Sequence, residues 1–128
     1  MPFQPDFHDG FVDGVLASDG TARIVLRIVT GERFTLLLRG VDALRVNDFR
    51  KGNIVLELNA INLDHIDPEF VFEIYDYSEE SKKAFVLTDW VEAAKKKGLK
   101  AIEIIPSCGC AIAALAEDYE LVQGISLA

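Results

Sequence analysis

Through much of its first half the chain alternates apolar and polar residues with a period of two, the pattern of strands with one buried face. Residues 11–18 and 21–29 flank Asp19-Gly20, a dipeptide suited to a two-residue hairpin turn because both positions tolerate positive φ. A second turn, Thr30-Gly31-Glu32, leads into residues 33–40. Pairing Val29 with Arg33 sets Ile28 opposite Phe34, Leu26 opposite Leu36 and Ile24 opposite Leu38, a continuous apolar face. The other face carries Arg23, Val25 and Arg27 against Arg39, Leu37 and Thr35, and is expected to be largely wet. Across the first hairpin Val15 meets Ile24 and Phe11 meets Ile28, but Asp13 falls opposite Leu26 on the core face. A β-bulge at Asp13 removes that conflict.

Strands resume at residues 53–60, with Ile54, Leu56 and Leu58 inward, and at 69–77, with Phe70, Phe72 and Ile74 inward. Pro68 cannot donate to a ladder and suits the beginning of the second of these. A helix is signalled at 89–97. Asp89 and Glu92 have capping-box spacing, Lys95, Lys96 and Lys97 complement the negative end of the dipole, and Gly98 suits a left-handed cap. Its narrow apolar side, Trp90, Val91 and Ala94, is expected to lie on the sheet. Residues 100–105 form a strand ended by Pro106. Residues 110–117 read as helix by alanine propensity or as the return strand of a hairpin turning at 107–109. The expected fold is α+β with a β majority: an antiparallel meander sheet with one helix packed against it, forming one domain over residues 1–128.

Charge sharpens this picture. The net charge is −8; residues 1–51 hold seven acids and seven bases, and residues 93–128 hold four of each. Residues 52–92 hold ten acids against Lys82 and Lys83, so the entire excess lies there. Such a surface is repelled by nucleic acid and attracts a basic protein. The apolar run at 110–116 is far too short to cross a bilayer, and the first residues lack the basic and apolar regions of an export signal, so no membrane association is expected. Cys108 and Cys110 flank a single glycine, a separation that strains a disulfide, and read as reduced thiols of a cytoplasmic protein.

Candidate chemistry is sparse. His8-Asp9 and His65, the latter between Asp64 and Asp67, offer nitrogen and oxygen ligands, but a metal needs three or four groups converging on one point and no HExxH spacing exists. The simpler reading of His8 and Asp9 is that their hydrogen bonds fix the entry into the first strand. A Cys-Gly-Cys segment lacks the CxxC spacing of a redox helix, and neither GxSxG nor GxxxxGK[ST] occurs. No cofactor is expected.

Phe7-His8-Asp9 near the start, the following meander, Gly40-Val41-Asp42-Ala43-Leu44 and the late Ser107-Cys108-Gly109 turn together resemble small bacterial β-rich immunity proteins of polymorphic toxin systems. The helix at 89–97 and the second cysteine have no counterpart in that pattern. The resemblance implies a non-enzymatic cytoplasmic protein that neutralises a toxin by binding it, and a strand rather than a helix after Cys110.

The expected function is therefore protein binding, immunity-like, directed at a basic toxin. Glu57, Asp64, Asp67, Glu73, Glu79 and Glu80 form the acidic surface, with Tyr75 and Tyr77 as aromatic anchors. Two rivals remain open: a small metal-binding or hydrolytic domain using His8, Asp9 and His65, and a structural subunit forming a homodimer through outward Val25 and Leu37. The alternation itself predicts that Leu36→Asp unfolds the protein while Leu37→Asp melts near the wild-type temperature by circular dichroism, because only the first buries an unpaired carboxylate.

Overall fold

The computed structural model describes residues 3–126. Six antiparallel strands, β1 (Phe11–Ser18), β2 (Thr21–Arg27), β3 (Arg33–Asn47), β4 (Asn53–Ile61), β5 (Lys100–Cys108) and β6 (Ala111–Gln123), close into a barrel in the order β1-β2-β3-β6-β5-β4. Between β4 and β5 the chain leaves the barrel, makes a 3-10 turn at Leu63–His65, and forms helices α1 (Pro68–Ile74), α2 (Glu79–Ala84) and α3 (Leu87–Lys96). The β majority and antiparallel pairing are as the alternation predicts. The sheet, however, is closed rather than open, and three α-helices replace the single expected one.

The first hairpin turns at Asp19-Gly20, with φ of 49° and 77°, the two positive values of a type I′ turn. Val15 pairs with Ile24 as expected, and the register slips between Val12 and Gly14, which places the bulge at Asp13. There the carboxylate accepts from Arg27 Nε at 3.0 Å and Arg33 Nε at 3.3 Å, so the residue that conflicts with the apolar face is turned out to two guanidiniums. In the second hairpin Ile24 faces Leu36 and Leu26 faces Phe34, two residues away from the expected register. An even displacement keeps every side chain on its predicted face. Ile24, Leu26, Leu36 and Leu38 accordingly fill the barrel with Ile102 and Ile104, all essentially inaccessible to solvent. Each such side chain contributes about 1.5–3 kcal/mol relative to exposure.

Other expectations fail where closure intervenes. Bulges flanking Val55 break the alternation of β4, burying Val55 and leaving Leu56 38% exposed, the reverse of the predicted pair. Pro106 does not end β5; it sits opposite Val55 at this irregularity, where its missing N–H disrupts nothing further. On β3 the supposedly wet face is covered: Thr35 is fully buried, with its hydroxyl donating to Gly124 O and accepting from Ser126 N, and Leu37 is only 9% exposed. Leu37→Asp therefore destabilises as well, which corrects its expected tolerance and removes Leu37 from any dimer surface. Residues 111–123 settle as strand, since only a strand can supply both the inward Ile112, Ala114 and Ala116 and the outward Ala113 and Leu115.

The segment read as strand 69–77 is mostly helix α1. Asp67 caps it through Oδ1 to Glu69 N at 2.9 Å, and Pro68 occupies its first turn, the usual helix-start combination. Val71 and Ile74, at helical spacing, meet the outer faces of β3 and β6 through Ala43, Ala113 and Leu115. Helix α3 adds Ala94, Trp90 and Val91 to that outer cluster, as its pattern predicts. It begins earlier than expected, after Val86, so the Asp89–Glu92 capping box does not form; its end matches, with Gly98 N donating to Lys95 O at 3.0 Å.

Asn53 joins four segments where β1 meets β4. Its Oδ1 accepts from Arg50 N at 2.7 Å and Cys110 N at 3.1 Å, while Nδ2 donates to Arg50 O at 2.6 Å and Val12 O at 3.2 Å. Gly109, at φ 81°, leaves room for it: a Cβ there would stand 2.5 Å from Asn53 Oδ1. We expect Asn53→Ala to cost about 3 kcal/mol or more, since it orphans several backbone groups beside the core, whereas Asn59→Ala, whose amide bonds only to carboxylates, costs less than about 1 kcal/mol. Urea denaturation midpoints check this; equal midpoints for the two variants would refute the assignment.

Candidate functional site

Outward residues of three strands and one wall of α1 enclose a groove of about 360 Å³. Its floor comes from Ala111 and Ala113 of β6 and Ile105 of β5; Phe70 and Glu73 stand on the α1 side, with Arg45 and Asn47 of β3 and Glu103 of β5 at the rim. The floor is shallow because the outward side chains of β6 there are alanines. Arg45 Nη1 donates to Glu73 O at the C-terminal end of α1, tying helix to strand and favourably opposing the dipole. Asn59 Nδ2 donates to Glu103 Oε1 at 3.3 Å and to Glu57 Oε2 at 3.0 Å, so one amide connects the groove's rim to the β4 carboxylate. The lining contains two carboxylates and a guanidinium around apolar surface.

The eight sequence-predicted partner-binding residues are placed unequally. Glu57 lies on β4, where Asn59 connects it to Glu103, and Glu73 lies on α1 across the groove that Glu103 also lines. Asp64 forms an ion pair with Lys95 Nζ, which holds its carboxyl below the ordinary range. Asp67 is the α1 cap, and Glu79 pairs with Lys82 at 3.3 Å. Glu80 lies exposed in the first turn of α2. Tyr75 is half-buried and its hydroxyl donates to Asp42 Oδ2; burial first, then this bond, pushes its pKa far up. Tyr77 packs edge-on against Phe85, with centroids 5.7 Å apart. Both tyrosines thus anchor the helical layer, and Tyr77 also borders a shallow cleft with Phe85, Val86 and Trp90.

Arg45, Glu103 and Ile105 were missed by the sequence reading. Glu103 and Ile105 share outward parity on β5, but only the position of α1 reveals that they border a groove.

The metal alternative is not assembled. His8 Nδ1 donates to Leu56 O at 2.9 Å and Nε2 lies 3.5 Å from Asp9, whereas His65 is in the 3-10 turn and joins neither. Among the described residues no three His, Cys, Asp or Glu side chains are placed to hold a metal ion. His8 and Asp9 instead seat the entry to β1: Asp9 N donates to Val55 O at 2.9 Å, and Phe7 plugs the barrel beside Phe34. Cys108 is exposed and Cys110 buried, both free thiols, and burial raises the Cys110 pKa.

The chain is thus a small closed antiparallel barrel carrying an acidic helical layer and a groove at the junction of the two. No protein family, curated protein or solved structure matches it. None of its helices is long and apolar enough to cross a membrane among the described residues.

The hydrogen bond to Leu56 O, then the Asp9 carboxylate, raise the His8 pKa above its usual 6.5. The charged form is favoured in the folded state, so its stabilisation is fully present below pH about 6.5 and disappears as pH rises through the folded pKa. Melting temperatures measured across this interval should fall slightly with rising pH, and His8→Gln should flatten that slope. An unchanged slope in the variant would exclude His8 as its origin.

Proposed function

We propose that this protein is a non-enzymatic protein-binding domain whose helical layer and adjoining groove receive a basic protein, in the manner of an immunity protein neutralising a toxin. One observation carries the reading. Four arginines of the barrel and its turns are matched there: Arg27 and Arg33 to Asp13, Arg39 to Asp118 and Glu120, Arg50 to Asp48. Among the described residues, by contrast, Glu69, Glu73, Asp76, Glu80, Asp89 and Glu92 of the helical segment have no ion-pair partner. From Glu57 to Ser81 the chain carries eight acids and no lysine or arginine. The field of the molecule is therefore concentrated over α1 and α2.

A basic partner gains from such a field mainly in encounter rate, which long-range attraction raises by one to three orders of magnitude at low salt. Short-range selectivity would come from the groove, where Phe70 and Ile105 offer apolar contact beside Glu73 and Glu103. Nucleic acid, a polyanion, is excluded by the same field.

Replacing Glu69, Glu73, Glu80 and Glu92 by glutamine removes four charges that make no ion pair. The expected result is a melting temperature within about 2 °C of wild type, because exposed charges contribute little to stability. Association with the protein partner captured from the native host should slow roughly tenfold or more at low salt and converge with wild type at high salt. Identical rates and salt dependence in the two proteins would reduce the acidic layer to a solubilising surface.

A further inference from the structure

We infer that the cleft where α2 meets α3 is a cation site, one that takes an arginine side chain from the surface of the basic partner. That the arginine belongs to a protein rests on the function proposed above; the site itself does not. Tyr77, Phe85 and Trp90 line the cleft, with Ala84 at the end of α2 and Val86 and Asp89 at the start of α3, around a volume of about 530 Å³. Val86 is 52% exposed, so the wall presents apolar surface to solvent beside the rings.

Two observations name the occupant, and the first is charge. The Asp89 carboxylate is exposed and, among the described residues, has neither an ion pair nor a hydrogen bond. No lysine, arginine or histidine lines this cleft, whereas the groove beside α1 carries Arg45. The positive end of the α3 dipole opposes a cation here, but it amounts to about half an elementary charge, less than the full charge of Asp89.

The second observation is that the aromatic cluster already holds one cation of the chain itself. Lys82 Nζ, paired with Glu79, lies 5.8 Å from the centroid of Phe72, within cation–π range. Phe72 in turn contacts Phe85 at 5.0 Å and Tyr77 at 5.5 Å. At the cleft the same cluster offers rings and a carboxylate with no cation of its own.

Solvation selects arginine over lysine. A guanidinium is planar and weakly hydrated, so it can lie on a ring while its edge donates to a carboxylate. Its aliphatic stem would rest on Ala84 and Val86. A lysine ammonium, compact and strongly hydrated, gives up more solvation for the same contacts. The shallowness of the cleft suits a side chain presented by another protein rather than a ligand enclosed on all sides.

Trp90 is the only tryptophan of the chain, so its indole N–H gives a single reporter signal in a nitrogen–proton correlation spectrum. End-blocked Gly-Arg-Gly peptide, titrated to about 50 mM at constant ionic strength, should shift that signal saturably, with a dissociation constant on the order of 5 mM. The corresponding lysine peptide should bind about threefold more weakly or worse, and the glutamine peptide should give no saturable shift. Asp89→Asn should weaken the arginine peptide about threefold or more. Ala84→Arg, which places the chain's own guanidinium at the cleft, should abolish its binding. Both positions are exposed, so both variants should keep the wild-type melting behaviour. No saturable shift with the arginine peptide, equal binding of the lysine or glutamine peptide, or an affinity unchanged by both variants overturns the inference. The titration needs this chain alone, and replacing Glu69, Glu73, Glu80 and Glu92 leaves Asp89 and the rings in place. The peptide can therefore fail to bind while those glutamines still slow partner association, and it can bind where they do not.

Discussion

The closure of this barrel depends on one buried amide. Strands β1 and β4 meet over only two residue pairs, extended by Asp9 N donating to Val55 O at 2.9 Å and Val55 N to Gly10 O at 2.8 Å. Asn53 compensates by using both donors and both acceptor sites of its side chain, binding the β3–β4 turn, β1 and the β5–β6 turn to one point. In a dry environment such a fully satisfied group strengthens and specifies the structure, whereas a partly satisfied one would oppose it. Gly109, without a Cβ, is the concession the chain makes to this node.

Closure also determines where the helices go. Strands β3, β5 and β6 have apolar residues on both faces, so the barrel has an inner core around Ile24, Leu36 and Ile102 and an outer one around Val71, Ala94 and Leu115. The outer layer does not cover the whole face, and the groove between α1, Arg45 and Glu103 is what remains open. Helix α2 has no buried residue and is attached through flanking aromatic contacts, including Phe85 against Phe72 at 5.0 Å. Few buried contacts imply a low local cost of opening for α2. The barrel's acids and bases are largely paired with one another, whereas the helical layer carries an excess of unpaired carboxylates.

Local chemistry was legible in the sequence. Asp19-Gly20 specified its turn, Asp13 announced a bulge by falling on an apolar face, and the lysine run with Gly98 marked the end of α3, because each depends on neighbours within a few residues. The inward set of β2 and β3 was legible too, since parity survives a two-residue error in register. Of the candidate site, the concentration of acids was visible, but its members were not separable: Asp64, Asp67 and Glu79 proved to have partners, and Glu103 and Arg45 were absent from the reading.

Tertiary structure decided the rest. Residues 69–77 carry a β-like alternation together with a weaker helical stripe, and the outer face of β3 and β6, apolar at Ala43, Ala113 and Leu115, receives the helical one. Val55 and Leu56 exchanged places because bulges created by pairing with Pro106 reset the parity of β4. Thr35 was buried as the chain after β6 reached it on what would otherwise be a wet face, and Leu37 on the same face is buried too. In each case the deciding contact joins residues separated by dozens of positions, and its energy appears only once the barrel has brought them together, which no local pattern can encode.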